Sequence, residues 1–155
     1  MRIQEFLATS IESKLKQLFE LARKVPEDRV DWSPGGTARS ALDQLQEVAI
    51  IHRFHTKILL DKKVGEITPE TFEKYNTDRR KLMTIDQCEE SALRLTAELV
   101  AVIRGYSDEG LELRITLPFG GGVDLSVAEL MMMPYWNLGY HEGQIQFILN
   151  LLTTD

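Results

Sequence analysis

The chain has 155 residues, 43% hydrophobic and 27% charged, with a formal net charge of −6, which fits one globular domain, 1–155, able to bury a core. The negative balance argues against a nucleic-acid partner, because the densest basic run, Arg79-Arg80-Lys81, is too short to make a phosphate-binding face. A lone cysteine (Cys88), a Met1–Glu5 start without the apolar core of a signal peptide, and no apolar run near the ~20 residues of a membrane span lead to the expectation of a cytoplasmic protein.

In chain order, Ile3, Leu7, Ile11, Leu15, Leu18, Ala22 and Val25 recur at spacings of three and four, one stripe of an amphipathic helix that Pro26 stops. Trp32-Ser33-Pro34-Gly35-Gly36 predicts an irregular connection. A second helix starts at Ser40, whose hydroxyl can cap it with Asp43 as a capping-box partner, and it runs towards Ile58 and Leu59. Thr68-Pro69-Glu70 opens a short helix, with Thr68 as cap and Pro69 at the first helical position. The third long helix begins at a Thr84–Gln87 capping box and ends at Gly105, with Cys88 on its apolar face as an inert core thiol and Glu89-Glu90 on its wet surface. The period then changes to two over Leu111–Leu117, which predicts a half-buried strand. A turn at Gly120-Gly121-Gly122 follows, and Val123–Leu125 is the short returning partner. The last helix starts at a Ser126–Glu129 capping box and runs to about Leu152, with Pro134 bending it from inside. The expected fold is an all-α, antiparallel four-helix bundle with a small β-hairpin between the third and fourth long helices.

The last helix carries the features that ask for chemistry. Steps of three and four give Leu130, Pro134, Asn137, His141, Gln144 and Ile148, so two amides and an imidazole occupy a stripe that should be apolar. Each such group, buried without a partner, costs roughly 1–3 kcal/mol. Asn137 and His141 are i,i+4 neighbours and can grip one ion or one substrate. The bland alternative is that they only fix packing. Gly139 and Gly143 suggest close approach of another backbone or a ligand. Met131-Met132-Met133 is adaptable core packing. Counted at 100° per residue from Glu47, His52 lies about 140° round the helix and His55 about 80°, which places both at the bundle edge or exposed.

Tyr140-His141-Glu142-Gly143-Gln144-Ile145 resembles the His-x-Gly-Gln-Ile segment of the DinB/YfiT-like superfamily, and Ser40–Glu47 resembles the start of that family's second helix. The order of elements matches over nearly the whole chain. The resemblance implies a divalent metal held by three histidines, but here only His141 matches; Asn137 and Glu47 stand at the other two positions. An amide oxygen is a weaker ligand than imidazole for zinc or nickel, and the Glu47/Asn137/His141 set leaves open an oxygen-tolerant metal such as manganese or iron, or a weaker zinc site. The resemblance implies a metal-dependent thiol transferase or hydrolase-like enzyme acting on a small molecule or thiol, with Gln144 as a supporting donor to the substrate or cofactor. Two other readings stay open: a metal-free site in which Glu47 orients His141 as base, and a non-catalytic bundle that binds a small molecule or forms a homodimer. A homodimer is expected in any of these.

Overall fold

The computed structural model describes residues 1–118 and 121–153. Helix α1 spans Ile3–Ala22, α2 Ala41–Asp61, α3 Pro69–Arg79, α4 Ile85–Gly105 and α5 Val127–Leu152; strands β1 (Arg114–Leu117) and β2 (Val123–Ser126) lie between the last two. The four long helices form the expected bundle around one core, which includes Leu7, Ile11, Leu45, Leu99, Met131, Leu138 and Ile145.

The contacts arrange the long helices in a ring in which α1 touches α4 and α5, and α2 also touches α4 and α5. The antiparallel relation holds between α1 and α4, where Arg23 pairs with Asp86 and Arg104 with Glu5, at opposite ends of both helices. It holds again between α2 and α5. By contrast α2 and α4 run parallel: Ser91 Oγ donates to Ala49 O, His52 meets Thr96, and Tyr106 Oη donates to Leu59 O. The segment 62–84, which carries α3, makes this possible by returning the chain to the end where α2 began. There Gln46 Nε2 donates to Leu82 O at 2.9 Å, and Arg79 reaches Asp43.

Local signals explain most boundaries. Ser40, Thr68, Thr84 and Ser126 each cap a helix by accepting from the backbone N–H three residues on. Only two of the expected capping boxes differ. Asp43 does not return to the Ser40 backbone because two arginines hold its carboxylate, and Gln87 Oε1 accepts from Met83 N at 2.7 Å rather than from Thr84. Lys62 closes α2 in the left-handed region at φ 54°. α5 continues as helix through Pro134.

The hairpin is shorter than its alternation suggests. β1 keeps Ile115 and Leu117 inward and pairs antiparallel with β2, Ile115 opposite Leu125. Leu111 and Leu113 lie outside the strand because their carbonyls accept from Ala128 N and Val127 N, donors that the first turn of α5 leaves free. Of the glycine turn, Gly120 lies outside the described residues; Gly121 and Gly122 adopt φ 87° and 93°, conformations glycine tolerates without strain. Among the described residues no helix is long and apolar enough to cross a membrane.

Candidate functional site

α2 and α5 pack along each other, and their facing rows bring the expected residues together. His141, fully buried on α5, places Nε2 3.4 Å from Glu47 Oε1 on α2 and 3.3 Å from Asn137 Nδ2, one turn back on α5. Its other ring nitrogen, Nδ1, lies 2.5 Å from Gln44 Oε1. Gln44 is buried and sits three residues before Glu47, hence on the same face of α2. With Gln44 Oε1 as an acceptor, the tautomer that fits is Nδ1–H, which leaves Nε2 facing Glu47 and Asn137. Gln144 is half-buried and makes no hydrogen bond among the described residues; the structure does not join it to the cluster.

Glu47 has a partner that the sequence reading omitted. Arg39, in the loop just before α2, donates Nη1 to Glu47 Oε2 at 2.6 Å, Nη2 to Asp43 O at 2.7 Å, and pairs through Nε with Asp43 Oδ2. From α3, Arg79 takes the other oxygen of Asp43, Nη1 to Oδ1 at 2.5 Å, and its Nε donates to Asn76 at 3.0 Å. The signal was present: Arg39, Asp43 and Glu47 recur every fourth residue, so one cation and two carboxylates share a row. When His141 is protonated, its hydrogen bond and its charge, followed by Arg39, hold the Glu47 carboxyl down at about 2, against its partial burial. A quarter of the Glu47 side chain remains exposed, so the cluster reaches solvent there.

Whether a divalent ion fits can be judged from the donors. The 3.3–3.4 Å spacings around His141 Nε2 resemble those between ligand atoms of an ion bound at about 2.0–2.2 Å. The chemistry does not match the spacing. The set offers one imidazole and one carboxylate, with Asn137 turning its amide nitrogen to His141, and the Arg39 guanidinium already neutralises Glu47. Among the described residues no three His, Cys, Asp or Glu side chains gather as a metal cluster. These residues do not fit a tightly held transition metal.

His52 and His55 are not at the edge. Both are buried, because Leu45, Val48, His52, His55 and Leu59 form a row at spacings of three and four that faces the core. Measuring their angle from Glu47 concealed that row. His52 Nδ1 lies 2.8 Å from Thr96 Oγ1, while His52 Nε2 and His55 Nδ1 have no hydrogen-bond partner among the described residues. Gly139 and Gly143 mark no close approach, since a Cβ at either would meet nothing within 4 Å. Met131 is core, with Met132 and Met133 packed against it, and Cys88 is buried with its thiol pushed up to about 12.

Comparison with known proteins places the fold. No protein-family model and no curated protein matches this chain. Among solved structures, YfiT from Bacillus subtilis, described as a probable metal-dependent hydrolase with an unusual four-helix bundle topology, superposes with a TM-score of 0.79 at 12% identity, over 97% of this chain and 87% of that one. A DinB-like protein from Bacillus subtilis matches at 0.65 and 16% identity, over 95% and 91%. A mycothiol-dependent maleylpyruvate isomerase matches at 0.67 and 12%, over 94% of this chain and 61% of that one. The fold is DinB/YfiT-like.

Proposed function

We propose that this chain is an enzyme of hydrolase or thiol-transfer type in which Glu47 and His141 form a metal-free acid–base pair. The observation that carries the reading is His141 itself: a buried imidazole with Nδ1 set against Gln44 and Nε2 turned to a carboxylate that is partly open to solvent. Fold neighbours described as a probable metal-dependent hydrolase and a mycothiol-dependent isomerase support the reaction class, not the absence of a metal. In this reading Gln44 fixes the ring tautomer. Nε2 takes the proton of an attacking water or small thiol, Glu47 stabilises the imidazolium that forms, and the same proton passes to the leaving group. Arg39 keeps Glu47 ionised and aimed. Asn137 Nδ2 donates to Nε2 in the resting site and yields that position to the nucleophile.

The test combines elemental analysis with a substrate panel of esters, amides and low-molecular-weight thiols with electrophiles. Untagged protein is expected to purify without stoichiometric transition metal and to keep its activity in chelator. His141→Gln and Glu47→Gln are each expected to lose on the order of 100-fold or more in kcat. A metal held near one equivalent, with activity removed by chelator and restored by that metal, overturns the proposal.

A further inference from the structure

The crossover helix α3 is attached to the bundle through a charged residue. Of its 11 residues Arg79 alone is buried; Tyr75 rests half-buried against the core and Phe72 is exposed. A helix with so little apolar area on the core opens more readily than α2 or α5, which bury whole faces. The Arg79 contact is the polar anchor. Nη1 donates to Asp43 Oδ1 at 2.5 Å and to Asp43 O at 3.2 Å, while Nε donates to Asn76 Oδ1 at 3.0 Å, a brace from one turn back.

That anchor is the first link of a chain of charges that ends on His141. Each member uses one end for the link before it and the other end for the link after. Asp43 receives Arg79 on Oδ1 and Arg39 Nε on Oδ2. Arg39 turns Nη1 to Glu47 Oε2 at 2.6 Å, and Glu47 presents Oε1 to His141 Nε2 at 3.4 Å. Two guanidiniums thus alternate with two carboxylates, and Arg39 is shared between both acids. Without Arg79, Asp43 keeps a single cation. Its carboxylate is then free to turn and take Arg39 through Nε and a terminal nitrogen together, the two-bond fork that arginine and carboxylate favour. That fork draws Arg39 away from Glu47.

We propose that α3 is a latch on the acid–base pair: Arg79 docked on Asp43 divides Arg39 between the two carboxylates and keeps Glu47 aimed at His141, and release of α3 withdraws Arg39 from Glu47. Arg79 is a positioning residue, since its hydrogen bonds end on Asp43 and Asn76. The inference rests on the acid–base reading for what the pair does, and adds that the crossover helix regulates it.

NMR of the full chain without substrate, at one fixed pH, tests the latch through the Glu47 carboxyl carbon and the His141 ring nitrogens. Arg79→Met keeps an extended side chain and removes its charge. It is expected to speed amide exchange in α3 on the order of ten-fold and to shift both the Glu47 and the His141 signals. Arg79→Lys retains a cation for Asp43 Oδ1 and is expected to hold those signals near their wild-type positions. Asp43→Asn also frees α3, but it removes the acid that competes for Arg39, so Glu47 and His141 are expected to shift in the direction opposite to Arg79→Met. This variant decides the matter should Arg79→Met fold poorly, by its direction relative to Arg39→Leu, which strips the cation from Glu47 outright. Faster exchange in α3 with Glu47 and His141 unmoved overturns the latch, because α3 is then merely anchored there. Equal shifts in the lysine and methionine variants, or a shift of Asp43→Asn in the same direction as loss of the cation, overturn it too. Failure of the acid–base reading shows differently, as turnover indifferent to Glu47 and His141, because these signals are read at equilibrium without chemistry.

Discussion

His52 and His55 make the bundle sensitive to acid in a range where few other groups titrate. Burial lowers the His52 pKa to about 3, with the neighbouring His55 adding to it, and burial alone lowers His55 to about 4. Unfolding returns each to about 6.5. A histidine depressed in the folded state gives its full stability above the unfolded value, and that stability is lost as pH falls from about 6.5 towards about 4 and then about 3. At pH 5 the gap is about 1.5 units for each ring, or about 2 kcal/mol per histidine and about 4 kcal/mol together. That is a large share of a typical 5–15 kcal/mol. Glu47, held at about 2, adds its own loss only as pH falls below about 4.5, so the two effects separate along the pH axis. Urea denaturation at pH 7.5 and pH 5.0 measures the difference. The wild-type chain is expected to lose about 4 kcal/mol, and His55→Leu about half as much because one titrating ring has gone. Leucine also removes the unpaired Nδ1, so the variant is not expected to be weaker at pH 7.5. A loss below about 1 kcal/mol in wild type, or identical pH dependence in the two proteins, refutes the reasoning.

Arg39→Leu removes the cation from Glu47 and Asp43, and equilibrium unfolding at pH 7 is expected to show a loss of about 1–3 kcal/mol, with the Glu47 carboxyl titrating higher by NMR. The Cys88 thiol, buried and pushed up to about 12, is expected to resist a thiol reagent such as dithionitrobenzoate in native buffer and to react fully in denaturant; rapid native labelling would show that α4 opens. The outer face of α5 exposes Trp136, Tyr140 and Phe147 in a row interrupted by Gly139 and Gly143, large and small side chains that suit an antiparallel second copy of the same helix. Analytical ultracentrifugation is expected to find a homodimer that Trp136→Glu dissociates, and a monomeric wild-type chain at high micromolar concentration would remove that expectation.

The bundle was legible because its evidence is local and periodic: Leu7, Ile11, Leu15 and Leu18 on one helix, and Ser40, Thr68, Thr84 and Ser126 at the caps, need no tertiary information to be recognised. The site was legible only along single helices. Asn137 and His141 disclosed themselves by standing on an apolar stripe, and Glu47 only by falling at the position that the family resemblance marks. What joins them is nonlocal. Gln44 meets His141 across 97 residues of sequence, and Arg79 meets Asp43 across 36; nothing in either neighbourhood announces the partner. Arg39 is the instructive omission, because its spacing of four from Asp43 and Glu47 was visible, yet a residue in front of a helix cap is ordinarily assigned to the loop. Its guanidinium changes the chemistry of the cluster. A carboxylate facing a histidine and an amide invites a metal ion, whereas the same carboxylate bound at 2.6 Å to an arginine is already neutralised, and the imidazole beside it is free to exchange a proton. His141 thus stands beside Asn137 and a Glu47 carboxylate that the Arg39 guanidinium already neutralises. The cluster therefore suits the proposed acid–base role better than a tightly held transition metal.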